Sequence, residues 1–244
     1  LTDGSVQIWN YEQKRRSRSL DGYSDEIKGI AFSPDGRFIA VGAGNILSQL
    51  DMTTGEQIYR QTLEWYIEDV AYSPDGRHIA AGGVRGIGYL SIFDARTGQE
   101  QIAMSPEYQT HAVAFSPDGR LIATGNEVGT VSLWTTNFGQ QSMALSGGYG
   151  IQSVAISSDG TILASGSRDS QLVLWDVDTR TERARLDGHT REIQSVVFSP
   201  DGQWLASSDY SQIMLWDMTS NERVWVIDAP GYDLAFSSDS TLLI

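Results

Sequence analysis

Ile193–Asp217 reads IQSVVFSPDGQWLASSDYSQIMLWD. The stretch opens on the apolar run Val196-Val197-Phe198, breaks at Ser199-Pro200-Asp201-Gly202, resumes with the small residues of Leu205-Ala206-Ser207-Ser208, and closes on a second apolar run ending at Trp216-Asp217. Proline presets φ at the second position of a tight turn, and glycine suits the last position of a type I turn, so SPDG joins two strands. The pattern predicts a short antiparallel meander.

The same marker recurs on both sides: FSPDG at Phe32, YSPDG at Tyr72, FSPDG at Phe115, ISSDG at Ile156 and FSSDS at Phe236. From Phe32 to Phe236, through Phe198, the steps are 40, 43, 41, 42 and 38 residues, the length of four short strands with their turns. A second marker keeps step with the first: QIWN ends at Asn10, SQLD at Asp51, SIFD at Asp94, SLWT at Thr135, VLWD at Asp176 and MLWD at Asp217. Two residues before each first marker stand Ile30, Val70, Val113, Val154, Val196 and Leu234. A strand so apolar is buried on both faces, as an innermost strand would be.

The stretch Leu186–Asp217, LDGHTREIQSVVFSPDGQWLASSDYSQIMLWD, resembles the repeat of the WD-repeat β-propellers, and the resemblance covers essentially the whole chain. It implies an all-β fold of four-stranded antiparallel blades. By the same resemblance His189, Ser207, Asp209 and Trp216 form a hydrogen-bonded structural set. Most other repeats depart from it: Tyr23 stands where His189 does, and Leu50 and Phe93 replace the tryptophan. Those blades are expected to rely more on apolar packing. The repeats run 21–62, 63–104, 105–145, 146–186 and 187–227, with partial ones at 1–20 and 228–244, all read as one domain spanning 1–244. Five complete blades are therefore expected, with a sixth split between the two ends. The alternative is a fragment of a seven-bladed or larger ring, and the start at Leu1 rather than Met favours a segment of something longer.

Composition narrows the function. A formal charge of -14 opposes the phosphate contacts that supply most nucleic-acid affinity, so no nucleic-acid partner is expected. There is no basic-then-apolar leader and no apolar run of about 20 residues, so no membrane partner is expected and a cytoplasmic location is favoured. The chain has no cysteine, which removes disulfides, thiolate metal sites and cysteine nucleophiles together. His78, His111 and His189 fall at different phases of three repeats, so no metal and no cofactor is expected.

Three residues before the first marker are Gly29, Asp69, Ala112, Ser153, Ser195 and Asp233, and four before it are Lys28, Glu68, His111, Gln152, Gln194 and Tyr232. These positions are expected to line and rim an axial channel. A propeller hydrolase using Glu68, Asp69 and Asp233 is one alternative function, and it requires those carboxylates to meet in one pocket with a strongly shifted pKa on at least one. Seven residues before the marker stand Asp25, Trp65, Tyr108, Tyr149 and Arg191. Loops at that position commonly contact partners in WD-repeat proteins, so the resemblance implies a recognition patch of Trp65, Tyr108 and Tyr149, flanked by Arg191 and Asp25. Trp, Tyr and Arg also dominate binding hot spots. The competing account is that the rings fill space left by missing glycine-histidine pairs. The function expected is a non-catalytic scaffold for a protein or peptide partner, or a purely architectural subunit of an assembly. Propellers rich in SPDG turns resemble bacterial ones, which implies neighbouring ATPase or kinase domains in the same parent chain.

Overall fold

The computed structural model describes residues 6–10, 15–20, 22–137, 139–241 and 243. Every element among them is a strand. β1 (Val6–Asn10) and β2 (Arg15–Leu20) pair as a hairpin. Five four-stranded antiparallel sheets follow. The first holds β3 (Ile27–Phe32), β4 (Phe38–Ala43), β5 (Ile46–Asp51) and β6 (Gln57–Thr62). The second holds β7 (Tyr66–Tyr72), β8 (His78–Val84), β9 (Gly88–Asp94) and β10 (Glu100–Met104), and the third β11 (Thr110–Phe115), β12 (Leu121–Asn126), β13 (Thr130–Thr135) and β14 (Gln141–Ser146). The fourth holds β15 (Ile151–Ile156), β16 (Ile162–Ser167), β17 (Leu172–Asp176) and β18 (Thr181–Arg185), and the fifth β19 (Ile193–Phe198), β20 (Trp204–Asp209), β21 (Ile213–Asp217) and β22 (Glu222–Ile227). Within each sheet the strands pair in chain order, and the first strands β3, β7, β11, β15 and β19 lie side by side in succession. This is a β-propeller of four-stranded blades.

The turn chemistry explains the first hairpin of each blade. The Ser33 carbonyl accepts the Gly36 N–H at 2.8 Å, and Gly36 then adopts φ of 68°, a left-handed geometry that costs glycine nothing. The Ser33 hydroxyl donates to Asp35 at 2.5 Å while accepting the Phe38 N–H, and Asp35 also takes the Arg37 N–H. The same arrangement recurs at Ser73/Asp75, Ser116/Asp118, Ser157/Asp159 and Ser199/Asp201.

The core is divided into wedges between neighbouring blades. Ala164, Leu172 and Leu174 of the fourth blade, for example, meet Ile193, Val196, Leu205 and Trp216 of the fifth. What sets the spacing is a glycine in the second strand of each of the first four blades, a position held by Ser208 in the fifth. A Cβ on Gly42 would lie 2.6 Å from Ile67 and 3.2 Å from Val70, one on Gly82 2.6 Å from Thr110, one on Gly125 2.3 Å from Ile151, and one on Gly166 2.4 Å from Ile193. Each inner strand thus drops its branched side chains onto bare backbone of the blade before it.

The two ends flank a seam. Residues beyond β22 continue the succession: the Leu234 N–H is held by the Ser195 hydroxyl at 3.1 Å, and Phe236 bridges Leu243. On the other side, Val6 of β1 is buried with Tyr23, Ile39, Val41 and Leu50 of the first blade. Both halves of the expected sixth blade are therefore docked on their neighbours. Residues 1–5, 242 and 244, where a ladder between the halves would run, lie outside the described residues. At the seam Ile30 is 47% exposed, whereas its counterparts Val70, Val113, Val154, Val196 and Leu234 are 4–7% exposed.

Gly125→Ala is expected to destabilise the chain by about 1–3 kcal/mol, because the new methyl must displace Ile151 from a close-packed wedge. A chemical denaturation curve checks this, with Gly36→Ala testing the separate cost of a left-handed φ at a position with open space around it.

Candidate functional site

Antiparallel pairing divides the disc into two faces. The inner strands begin at the upper face and end at the SPDG turns of the lower face, and the second strands return to the upper face. Each inner strand carries a register irregularity near its upper end, between Ile27 and Gly29, Ile67 and Asp69, Thr110 and Ala112, Ile151 and Ser153, and Ile193 and Ser195. The residue skipped by the ladder is Lys28, Glu68, His111, Gln152 or Gln194. A bulge re-aims the unpaired side chain. Here the five are turned inward, and together with Tyr232 they line one axial cavity of about 820 Å³.

Charges inside this cavity are mostly committed. Lys28 Nζ lies 2.7 Å from Glu68 Oε2, and His111 Nδ1 is 3.8 Å from the same oxygen. Burial alone would raise the Glu68 carboxyl, but His111 and Lys28 outweigh it and hold it below the usual range. Asp69 and Asp233 share the cavity with Glu68, so the three carboxylates do meet. Asp69 keeps part of its surface on the channel, yet the protein around it pushes its carboxyl up to about 7, with the charge of Asp233 adding to the effect. Both of its oxygens accept backbone N–H groups, from Val70 and, across the blade junction, from Val113, each at 2.8 Å. Ser153 takes the Val196 N–H and Ser195 the Leu234 N–H in the same way at 3.1 Å. Side chains at this phase therefore staple one blade to the next. Asp233 is held by the Ser195 hydroxyl and the Leu234 N–H.

The upper face is rich in exposed rings. Of the twelve large hydrophobic residues exposed among those described, seven lie there: Tyr66, Ile87, Tyr108, Val128, Tyr149, Tyr210 and Tyr232. Tyr149 is 61% exposed and Tyr232 69%. Tyr210 and Tyr232 meet edge to face at 5.8 Å beside the channel mouth. Arg191 and Asp25 are exposed at the same end. Trp65 corrects the expected patch, since it is 4% exposed and stacks on Tyr89 with ring centroids 5.4 Å apart. Its neighbour Tyr66, on the opposite side of the chain, is the exposed ring. Sequence reasoning missed Tyr66, Ile87 and Tyr210; the turns joining second and third strands were the places to look for the latter two.

His189, Ser207, Asp209 and Trp216 come together beneath this face. His189 Nδ1 is 2.8 Å from Asp209 Oδ2 and Nε2 is 2.7 Å from Ser207 Oγ, while the Trp216 indole N–H donates to Ser207 Oγ at 2.8 Å. Burial lowers the His189 pKa despite the nearby carboxylate, so the ring is neutral. Nδ1–H then donates to Asp209 and the Ser207 O–H donates to Nε2. Burial would raise Asp209, but the bonds from His189, Ser211 and Gln212 dominate and bring it to about 2. The third and fourth blades keep only the indole bond, Trp134 to Thr124 and Trp175 to Ser165, both 2.9 Å. In the first two blades Leu50 and Phe93 pair with Ile39 and Ile79, and the hydroxyl position is Val41 or Ala81. Donor and acceptor have been lost together, so neither blade holds an unpaired indole N–H at this position.

Among the described residues no group of three or more His, Asp or Glu side chains is placed to hold a metal ion.

Three stretches of the chain, 14–48, 139–176 and 180–217, match the family described as WD domain, G-beta repeat. Residues 51–137 match the family described as Eukaryotic translation initiation factor eIF2A. No curated protein matches the chain.

Ser207→Ala should cost about 1–3 kcal/mol, because it strands both the indole N–H and His189 Nε2. The double variant Ser207→Ala/Trp216→Phe, which copies the second blade, should lose less than the sum of the singles in a double-mutant cycle. Asp69 gives a pH signature. Its folded pKa of about 7 lies above the ordinary 3.8, so its contribution is fully present below pH 3.8 and is lost as pH rises to about 7. Melting temperatures measured across that window should fall for the wild-type chain relative to Asp69→Asn and run parallel above it.

Proposed function

We propose that residues 1–244, of which 14–48, 139–176 and 180–217 match the WD repeat, act as one non-catalytic interaction disc that holds a protein or peptide partner on its upper face. The observation that carries this is the concentration of exposed tyrosines on the upper face, with Tyr210 and Tyr232 in contact at the channel mouth. Contiguous exposed apolar rings with polar tips mark interaction surfaces, and tyrosine gives large contact area at low entropic cost. Tyr66, Tyr108, Tyr149, Tyr210 and Tyr232 supply the rings, and Asp25, Lys28 and Arg191 supply charge of both signs among them. The chemistry of the channel supports a binding role over a hydrolytic one. Glu68 is tied to Lys28, both oxygens of Asp69 accept backbone N–H groups, and one oxygen of Asp233 is held by Ser195 and Leu234, so the channel carboxylates are engaged mainly with the protein itself. WD repeats mediate protein–protein contacts in general, and the partner's identity is to be sought by capture on this face.

Two sets of variants test it. Tyr66→Ser, Tyr149→Ser and Tyr232→Ser together remove the face, while Val224→Ser and Trp225→Ser remove exposed apolar residues of the outer strand β22. A partner captured by the wild-type chain should bind the face variant at least about tenfold more weakly, the size of hot-spot losses, and bind the edge variant unchanged. Loss with the edge variant alone would move the interface to the rim.

A further inference from the structure

The fifth blade shows what the histidine of the repeat does: it fills a slot between the strand-two hydroxyl and the strand-three indole. Four blades lack it, and three have closed the space by other means. In the first, the Tyr23 phenol enters and meets Ser48 at 2.5 Å. In the second, Trp65 stacks on Tyr89. In the fourth, the backbone itself comes in, since a Cβ on Gly147 would lie 3.1 Å from Ser165 Oγ and one on Gly148 2.6 Å from Asp169 Oδ1.

The third blade has not closed it. Pro106 stands nine residues before Phe115, as His189 stands nine before Phe198, and between Pro106 and Trp134 lies a cavity of about 220 Å³. Tyr108, Thr124, Ser132 and Gln141 complete the lining that matters. A cavity of ~150 Å³ is enough to take up a benzene ring, but that one is apolar and this one is not. The Thr124 hydroxyl accepts the Trp134 N–H at 2.9 Å, and its own hydrogen is left to donate, as that of Ser207 donates to His189. Ser132 accepts from Gln141 Nε2 at 2.9 Å and likewise keeps a hydrogen to give. Glu107 at the mouth adds an acceptor.

We propose that this slot of the third blade is a binding site for an imidazole-type ring, a flat heteroaromatic whose unprotonated nitrogen takes the Thr124 hydroxyl. The chemistry is the same whether the ring arrives as a free small molecule or as a histidine side chain presented by a peptide at the upper face. The site does not depend on the partner surface proposed above, because its recognition elements lie within one blade.

The test titrates 4-methylimidazole, and separately the capped peptide Gly-His-Gly, into the full chain at alkaline pH, following the Trp134 indole N–H by NMR. The expected result is a saturable shift of that resonance. Thr124→Val should weaken binding about tenfold, the loss of one hydrogen bond to a desolvated acceptor. Pro106→His should abolish it by placing the chain's own ring in the slot, and should also raise the melting temperature. Tighter binding of the peptide than of the free ring assigns the slot to a partner's histidine, and the reverse assigns it to a small molecule. No saturable shift in the wild-type chain, or a shift that persists in Pro106→His, overturns the proposal. Should Thr124→Val fail to fold, Pro106→His alone decides.

Discussion

The architecture of the disc depends on how closely one sheet approaches the next. Ile67 and Val70 sit on the bare backbone of Gly42, Thr110 and Val113 on Gly82, Ile151 and Val154 on Gly125, and Ile193 and Val196 on Gly166. Interiors pack at crystal-like density, so a contact this short fixes the angle between blades within narrow limits. It also brings the inner strands near enough for Asp69 and Ser153 to reach across and accept the next strand's N–H. The channel and its ring of polar side chains follow from the same approach. Glycine is costly in a strand interior, and here the wedge of apolar contacts offsets that cost.

Within this frame the blades differ in how they fill the space under the upper face. The fifth uses a buried network of histidine, aspartate, serine and tryptophan, the third and fourth keep an indole bonded to a hydroxyl, and the first two have lost indole and hydroxyl as a pair, the first admitting the Tyr23 phenol to Ser48 instead. A buried polar group is expensive only when its partner is missing, so the paired changes are nearly free while a single one is not. This is why repeats of quite different sequence fit one architecture.

The fold was legible because its signals are local. A turn chemistry repeated at Ser33, Ser73, Ser116, Ser157 and Ser199 and an apolar strand ahead of each give the meander and its period without any long-range information. The ring of Lys28, Glu68, His111, Gln152 and Gln194 was also readable as a phase, although the bulge that turns those residues inward was not. The recognition patch was legible only in part. Trp65 and Tyr66 are adjacent, and alternation sends one inward and the other out, so an error of one residue in register exchanges core for surface. Nothing local says which of two neighbouring rings will find a stacking partner, and Tyr89 settles it from another strand. Tyr210 and Tyr232 come from different phases of the repeat and meet only once the disc has formed. The open slot of the third blade was invisible for a related reason, since a proline in place of a histidine does not reveal whether a neighbouring ring or the backbone has moved in.

The seam beside Ile30 is, among the described residues, the junction at which an inner strand leaves its apolar side chain open to solvent. Sliding the terminal segment at Leu234 and Phe236 away from the first blade uncovers little that is not already wet, whereas parting any other pair of blades would strip a full wedge of its contacts. Local opening is therefore expected to begin at this place, with the middle blades the last to loosen. Tyr232 stands on one side of that seam and Lys28 and Tyr66 on the other, with Lys28 and Tyr232 lining the same cavity. Any molecule broad enough to touch both would act as a clasp, so occupancy of the upper face and the stability of this seam are thermodynamically linked.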